Sequence, residues 1–233
     1  MSSEPIPNYW LSCPDIEFTL DITDDCEAFY HRWLVNGDGA WFPDTLPLPK
    51  WVFCSWLADY KQLLLHGSGD PNITEFQPRT PQDRSPDSFS KQTAVFAASD
   101  GIWPIFYAVL NRMEVQCTML NGALQFATGP NQWSTMRYFF SLTESALHQY
   151  PWREGILYVL PREDFMRQPP YKLGLHMVYE PHWACLTSVR PLAKIRVAPT
   201  DFPWRDQIRG HNDEYIRDRA AADPYGFPWL DDT

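Results

Sequence analysis

Apolar positions recur along this chain of 233 residues with two periods, and each period predicts a different element. From Asp25 to Val35 the set Cys26, Phe29, Tyr30, Trp33 and Leu34 repeats at three and four residues, predicting a helix ended by Asn36-Gly37-Asp38-Gly39. Phe53, Trp56, Leu57 and Tyr60 share that spacing, with Pro49 suited to the first turn. Gln62 to Leu65 is a short apolar run of strand length, broken at His66-Gly67-Ser68-Gly69-Asp70-Pro71. Thr93 to Ala98 reads as a buried strand, and Ser99 as the N-cap of a helix over roughly Gly101 to Arg112 with Pro104 in its first turn. Val115 to Leu120 and Ala123 to Thr128 flank Asn121-Gly122, a dipeptide suited to the two positive-φ positions of a tight hairpin.

Further strands are predicted at Met136 to Ser141, Ile156 to Leu160, Leu173 to Tyr179 and Arg190 to Val197. A short helix is expected near Thr143 to Tyr150, and a last one from about Trp204 to Ala221. Gln77 to Gln92, with three prolines, three serines and several charges, predicts a mobile surface loop. Residues 1 to 14, carrying Pro5, Pro7 and Pro14, predict an extended arm; 15 to 221 a single domain; 222 to 233 a Pro/aromatic tail. Two early helices, one helix after a central strand and many short strands define an α+β class, with a strongly β body of mostly antiparallel strands.

Composition narrows the partners. Nineteen basic against 29 acidic residues leave a formal charge of −10, without the positive field that non-specific nucleic-acid binding needs. The same charge is repelled by anionic lipid, and no apolar run approaches the ~20 residues that span a bilayer. Met-Ser-Ser-Glu-Pro-Ile lacks the basic-then-apolar start of a signal peptide, so the expected compartment is the cytoplasm. Five scattered cysteines (Cys13, Cys26, Cys54, Cys117, Cys185) with no CxxC pair indicate reduced thiols rather than a disulfide framework or zinc knuckle. Neither a GxSxG elbow nor a Walker loop occurs, so serine hydrolases and P-loop nucleotidases have no sequence support.

The stretch from Leu63 to Arg112 carries the chemistry: a strand running into His66-Gly67-Ser68, a polar loop, then Val95-Phe96-Ala97-Ala98-Ser99-Asp100 opening onto a helix. These motifs resemble the ADP-ribosyltransferase superfamily over about fifty residues. The resemblance implies an ADP-ribosyltransferase-like α+β fold that takes NAD as substrate. It puts His66, Gly67 and Ser68 beside the adenosine ribose, and Phe96 and Ala97 in the floor under nicotinamide. A histidine at a strand end supplies a fixed donor or acceptor, and the following glycine admits close backbone approach. Phe96, Phe89 and Tyr107 offer rings for a planar ligand. The pyrophosphate needs a cation, for which Arg79, Arg84 and Arg112 are nearest in sequence. The family also uses a late-strand glutamate to stabilise the oxocarbenium-like transition state, and Glu180 is the matching candidate. Where the poly(ADP-ribose) polymerase type has tyrosine before Phe-Ala, this chain has Val95. The acceptor stays open among protein, nucleic acid and a small molecule, with nucleic acid disfavoured by the acidic charge.

Two other functions compete. A non-catalytic protein-binding module would use the tryptophan-rich surface and the aromatic tail. A metal enzyme would use His176, Glu180 and His182, whose equal parity puts them on one face of an uninterrupted strand, although Pro181 interrupts that motif.

Overall fold

The computed structural model describes residues 5–34, 40–43, 46, 48–81 and 87–230. The first half contains β1 (Leu11–Ser12), α1 (Leu20–Leu34), β2 (Ala40–Trp41), α2 (Lys50–Tyr60), β3 (Leu64–Ser68), β4 (Val95–Ala98) and α3 (Trp103–Val109). Next come β5 (Met119–Gly129), β6 (Gln132–Trp133), β7 (Arg137–Thr143), α4 (Glu144–Leu147), β8 (Gly155–Leu160) and β9 (Met166–Arg167). The chain closes with β10 (Tyr171–Leu173), β11 (His176–Tyr179), β12 (His182–Cys185), β13 (Ala193–Val197), β14 (Arg209–His211) and α5 (Asp213–Ala222). The fold is α+β, with mostly antiparallel strands gathered into two sheets.

Sheet one runs β1-β7-β5-β11-β10, with β14 beside β7 and β6 beside β5; sheet two runs β2-β13-β8-β3-β4-β12-β9. Alternation along each strand divides the apolar residues into three cores. Between the sheets lie Ala123, Tyr138, Phe140 and Leu142 of sheet one and Leu65, Ala98, Leu157, Val159 and Ile195 of sheet two. Helices α2 and α3 contribute Phe53, Trp56 and Phe106 to the same core. The outer face of sheet two buries Leu64, Phe76, Val95, Tyr158 and Trp183. The outer face of sheet one buries Leu120, Phe126, Phe139 and Val178 beneath Trp10, Ile216 and Trp229.

Helix α3 sits against sheet two so closely that side chains are excluded at two points. A Cβ at Gly67 would collide with the Pro104 carbonyl oxygen and stand 2.9 Å from Ala108 N; one at Gly155 would collide with the Ala108 carbonyl. Gly67 therefore continues β3, and the expected break after Leu65 comes later, where Ser68 Oγ accepts from Asp70 N at 3.1 Å and Asp70 Oδ1 from Asn72 N at 2.9 Å. The expected N-cap of α3 is also displaced. Asp100 Oδ1 accepts from Ile102 N at 2.9 Å and Trp103 N at 2.6 Å, while Ser99 Oγ accepts from Trp183 Nε1 at 2.9 Å.

Four further expectations are corrected. Asn121-Gly122 is no turn: β5 passes through it unbroken, with Asn121 opposite Phe140 and Gly122 opposite Phe139. Leu173 to Tyr179 is a hairpin rather than one strand, because Gly174 turns the chain at φ +54. The helix foreseen from Trp204 is confined to Asp213–Ala222, where Asn212 Oδ1 caps Glu214 N and Tyr215 N. The aromatic tail is not a free surface, since Phe227 and Trp229 join Trp10 on the outer face of sheet one. The turn expected at Asn36 to Gly39 lies outside the described residues.

Candidate functional site

The two segments singled out in sequence meet at β4. His66 Nδ1 donates to the Phe96 carbonyl at 2.6 Å, although thirty residues separate them. Leu65 pairs with Ala98 and Ala98 with His182, so those three side chains share the inner face of sheet two. His66 consequently points to the outer face, where it lies opposite Tyr158 and its ring centroid stands 4.6 Å from that of Phe76. Tyr158 holds the covering loop by donating to the Asp70 carbonyl at 2.5 Å and accepting from Ile73 N at 3.2 Å. Ser68 ends this strand, partly exposed, and Ala97 is buried on the outer face beside Val95.

On the inner face an aromatic ensemble surrounds Phe96. His182 stacks on it at 4.9 Å and 27°, and Phe89 and Trp103 meet His182 edge-on at 5.5 and 5.6 Å. From sheet one, Asn121 Oδ1 accepts both Trp103 Nε1 at 2.6 Å and the Tyr107 hydroxyl at 2.8 Å. Phe89, Phe96, Tyr107, Asn121 and His182 are all half-buried, so their edges reach water. The two imidazoles thus straddle β4, one bonded to the Phe96 carbonyl and one stacked on its ring.

Both rings are neutral at pH 7. Burial lowers the His66 pKa; the bond to the Phe96 carbonyl opposes this, and the Arg112 and Arg79 charges add to it. Burial pushes His182 down to about 4 against the opposing charge of Asp87. His182 Nδ1 donates to Gln168 Oε1 at 2.9 Å, and Gln168 Nε2 reaches Asp87 Oδ1 at 3.5 Å. Asp100, buried beside this ensemble, accepts the Tyr138 hydroxyl at 2.7 Å, and burial raises its pKa.

Glu180 does not join this ensemble. Its Oε2 accepts the Tyr171 hydroxyl at 3.0 Å, on the strand at the far edge of sheet one. From the row Leu65–Ala98–His182 the chain reaches Glu180 in one direction and His66 in the other, on strands two interstrand spacings of about 4.8 Å apart. The His176–Glu180–His182 arrangement also dissolves, because Pro181 falls where the chain leaves sheet one for sheet two. His176 packs edge-on to Phe126 at 5.3 Å, and no group of three potential metal ligands occurs among the described residues. The cysteines are free thiols; burial pushes Cys13 and Cys26 up to about 11 and raises Cys117 as well.

Arg84 lies outside the described residues. Of the loop foreseen from Gln77 to Gln92, the N-terminal end is fastened just before β4: Arg79 and Ala94 exchange backbone bonds at 3.0 and 3.2 Å. Trp103, Asn121, Gln168 and His182 were missed as members of the ensemble. No local signal marks them: His182 and Gln168 arrive through β12 pairing with β4 across more than eighty residues, and Trp103 meets Asn121 only where α3 packs against β5.

No family model, curated protein or solved structure matches the chain. No helix among the described residues is long and apolar enough to cross a membrane.

Proposed function

We propose that this chain binds NAD in the manner of an ADP-ribosyltransferase, with His66 at the adenosine ribose and the unit from Phe96 to Tyr107 beneath nicotinamide. One observation carries the reading: the His66 imidazole is bonded at 2.6 Å to the backbone of Phe96, so the two motifs lie side by side where β3 and β4 share the single pair Leu65–Ala98. Half-buried Phe96 and Tyr107 offer ring faces to a planar amide. Arg79 and Arg112, whose charges act on His66, are the described arginines placed for a pyrophosphate.

ADP-ribose transfer is not part of the proposal. It requires a carboxylate at the nicotinamide ribose, and Glu180 is engaged with Tyr171 elsewhere. The protein-binding alternative would draw on the tryptophan-rich surface and the tail; of the tail, Phe227 and Trp229 are packed on sheet one.

Thermal unfolding with and without NAD tests the reading. Ligand at about ten times its Kd stabilises by RT ln 11, roughly 1.4 kcal/mol, and raises Tm by a few degrees. The expected result is a rise in the wild type that Tyr107→Phe retains and His66→Gln loses; Gln preserves a donor for the Phe96 carbonyl. No rise at millimolar NAD, or an equal rise in His66→Gln, would overturn it.

A further inference from the structure

A hollow of about 300 Å³ lies between residues of the two sheets, lined by Trp133, Arg167, Gln168, Pro169, Pro170 and Tyr179. Trp133 and Tyr179 come from sheet one, Arg167 from the edge strand of sheet two. Of these residues only Gln168 touches the Phe96 ensemble, through His182. The Arg167 guanidinium stands over the Tyr179 ring, its Cζ 3.7 Å from the centroid. Trp133 meets the same ring at 6.2 Å and 64°, forming an aromatic corner opposite the two prolines.

Arg167 makes no side-chain hydrogen bond or ion pair with any described residue, so its five N–H donors remain open. The planar fork of a guanidinium matches the two oxygens of a carboxylate. In a chain of formal charge −10, such a cation in an aromatic corner is a local exception that an anion would seek. Size selects further: 300 Å³ is the lower limit of small-molecule pockets, room for one ring and its substituents but not for a dinucleotide. The floor is fixed by Gln168, which is 2% exposed and accepts from His182 Nδ1 through Oε1.

We infer that this hollow is a binding site for a small aromatic carboxylate, its ring against Trp133 and the prolines and its carboxylate on the Arg167 fork. Ligand-observed NMR on the full chain with benzoate, its neutral isostere benzamide, and ringless acetate tests the assignment. The expected result is saturable benzoate binding in the micromolar to low-millimolar range, with benzamide and acetate each at least tenfold weaker. Arg167→Gln, at an exposed edge and checked for an unchanged Tm, should weaken benzoate about tenfold, equivalent to about 1.4 kcal/mol. Arg167→Lys keeps the charge without the fork and should fall between. Equal affinity for benzoate and benzamide, an unchanged benzoate Kd in Arg167→Gln, or no saturation at low-millimolar benzoate would each overturn the inference. NAD titration is read through His66 and benzoate titration through Arg167, so either proposal can fail alone.

Discussion

Two X-Gly dipeptides approach α3 from opposite sheets, and they do so with opposite residues. In sheet two, Gly67 faces the helix backbone and His66 faces away. In sheet one, Asn121 faces the helix, accepting from Trp103 and Tyr107, while Gly122 faces away toward Phe227 and Trp10. Both dipeptides resemble chain breaks in sequence, and both lie within strands. The difference is in what the missing side chain makes room for: immovable backbone at Gly67, adjustable rings at Gly122. A glycine under a helix fixes the distance between helix and sheet, whereas a glycine under rings only shapes a packed surface.

The largest effect separating them should come from Gly67→Ala. The added methyl would collide with the Pro104 carbonyl, and neither it nor Ala108 N can rotate away, so α3 must lift off β3. The expected loss is about 3 kcal/mol in denaturant unfolding, at the upper end of overpacking costs. A loss under about 1 kcal/mol would mean that the helix can slide, and the contrast with Gly122 would collapse. Lifting α3 also moves Trp103 and Tyr107 off Asn121, so on the proposed reading the variant should show no Tm rise with NAD even where it stays folded.

The strands β4, β7 and β8 were legible because their β-branched and aromatic runs are local and continuous, within two residues of the expected limits. The proximity of His66 to Phe96 was legible only through the resemblance of motifs, since nothing between residues 66 and 96 encodes it locally. Asn121-Gly122 misled because turn chemistry and close packing both select glycine, and which applies is decided by Phe227 and Trp10, about a hundred residues away in either direction. The parity of His176, Glu180 and His182 misled because Pro181 marks a change of sheet, which equal spacing does not reveal.

An intermediate effect should appear in acid, on the Phe96 face that α3 and β12 share. His182 titrates near 6.5 when unfolded and at about 4 when folded, so the unfolded state takes up its proton first. Its full contribution is present above about pH 6.5 and is lost as the pH falls toward 4. Between pH 7 and pH 5 the loss should be about 1–2 kcal/mol after allowance for the partial exposure of the ring. His66, also held neutral by burial, acts in the same direction. His182→Phe keeps a ring on Phe96 and removes the titration, so the loss between pH 7 and pH 5 should shrink. An unchanged pH dependence in that variant would show that His182 is solvated and that the ensemble is looser than its stacking distance of 4.9 Å implies.

The smallest effect is the most discriminating for β5. A Cβ at Gly122 would stand 3.5 Å from the Phe227 ring and 3.7 Å from Trp10, ordinary contact distances, and Gly122 is not among the positive-φ glycines. Gly122→Ala should therefore change stability by no more than about 0.5 kcal/mol, with a stabilising sign, because alanine lowers the entropy of the unfolded chain and adds a buried methyl. Were Asn121-Gly122 a hairpin turn, the same substitution would force alanine into the left-handed region and cost about 1 kcal/mol or more. Equilibrium unfolding of this one variant distinguishes the two registers by sign. A destabilisation of that size would reverse the pairing of β5 with β7 and, with it, the placement of Asn121 against α3.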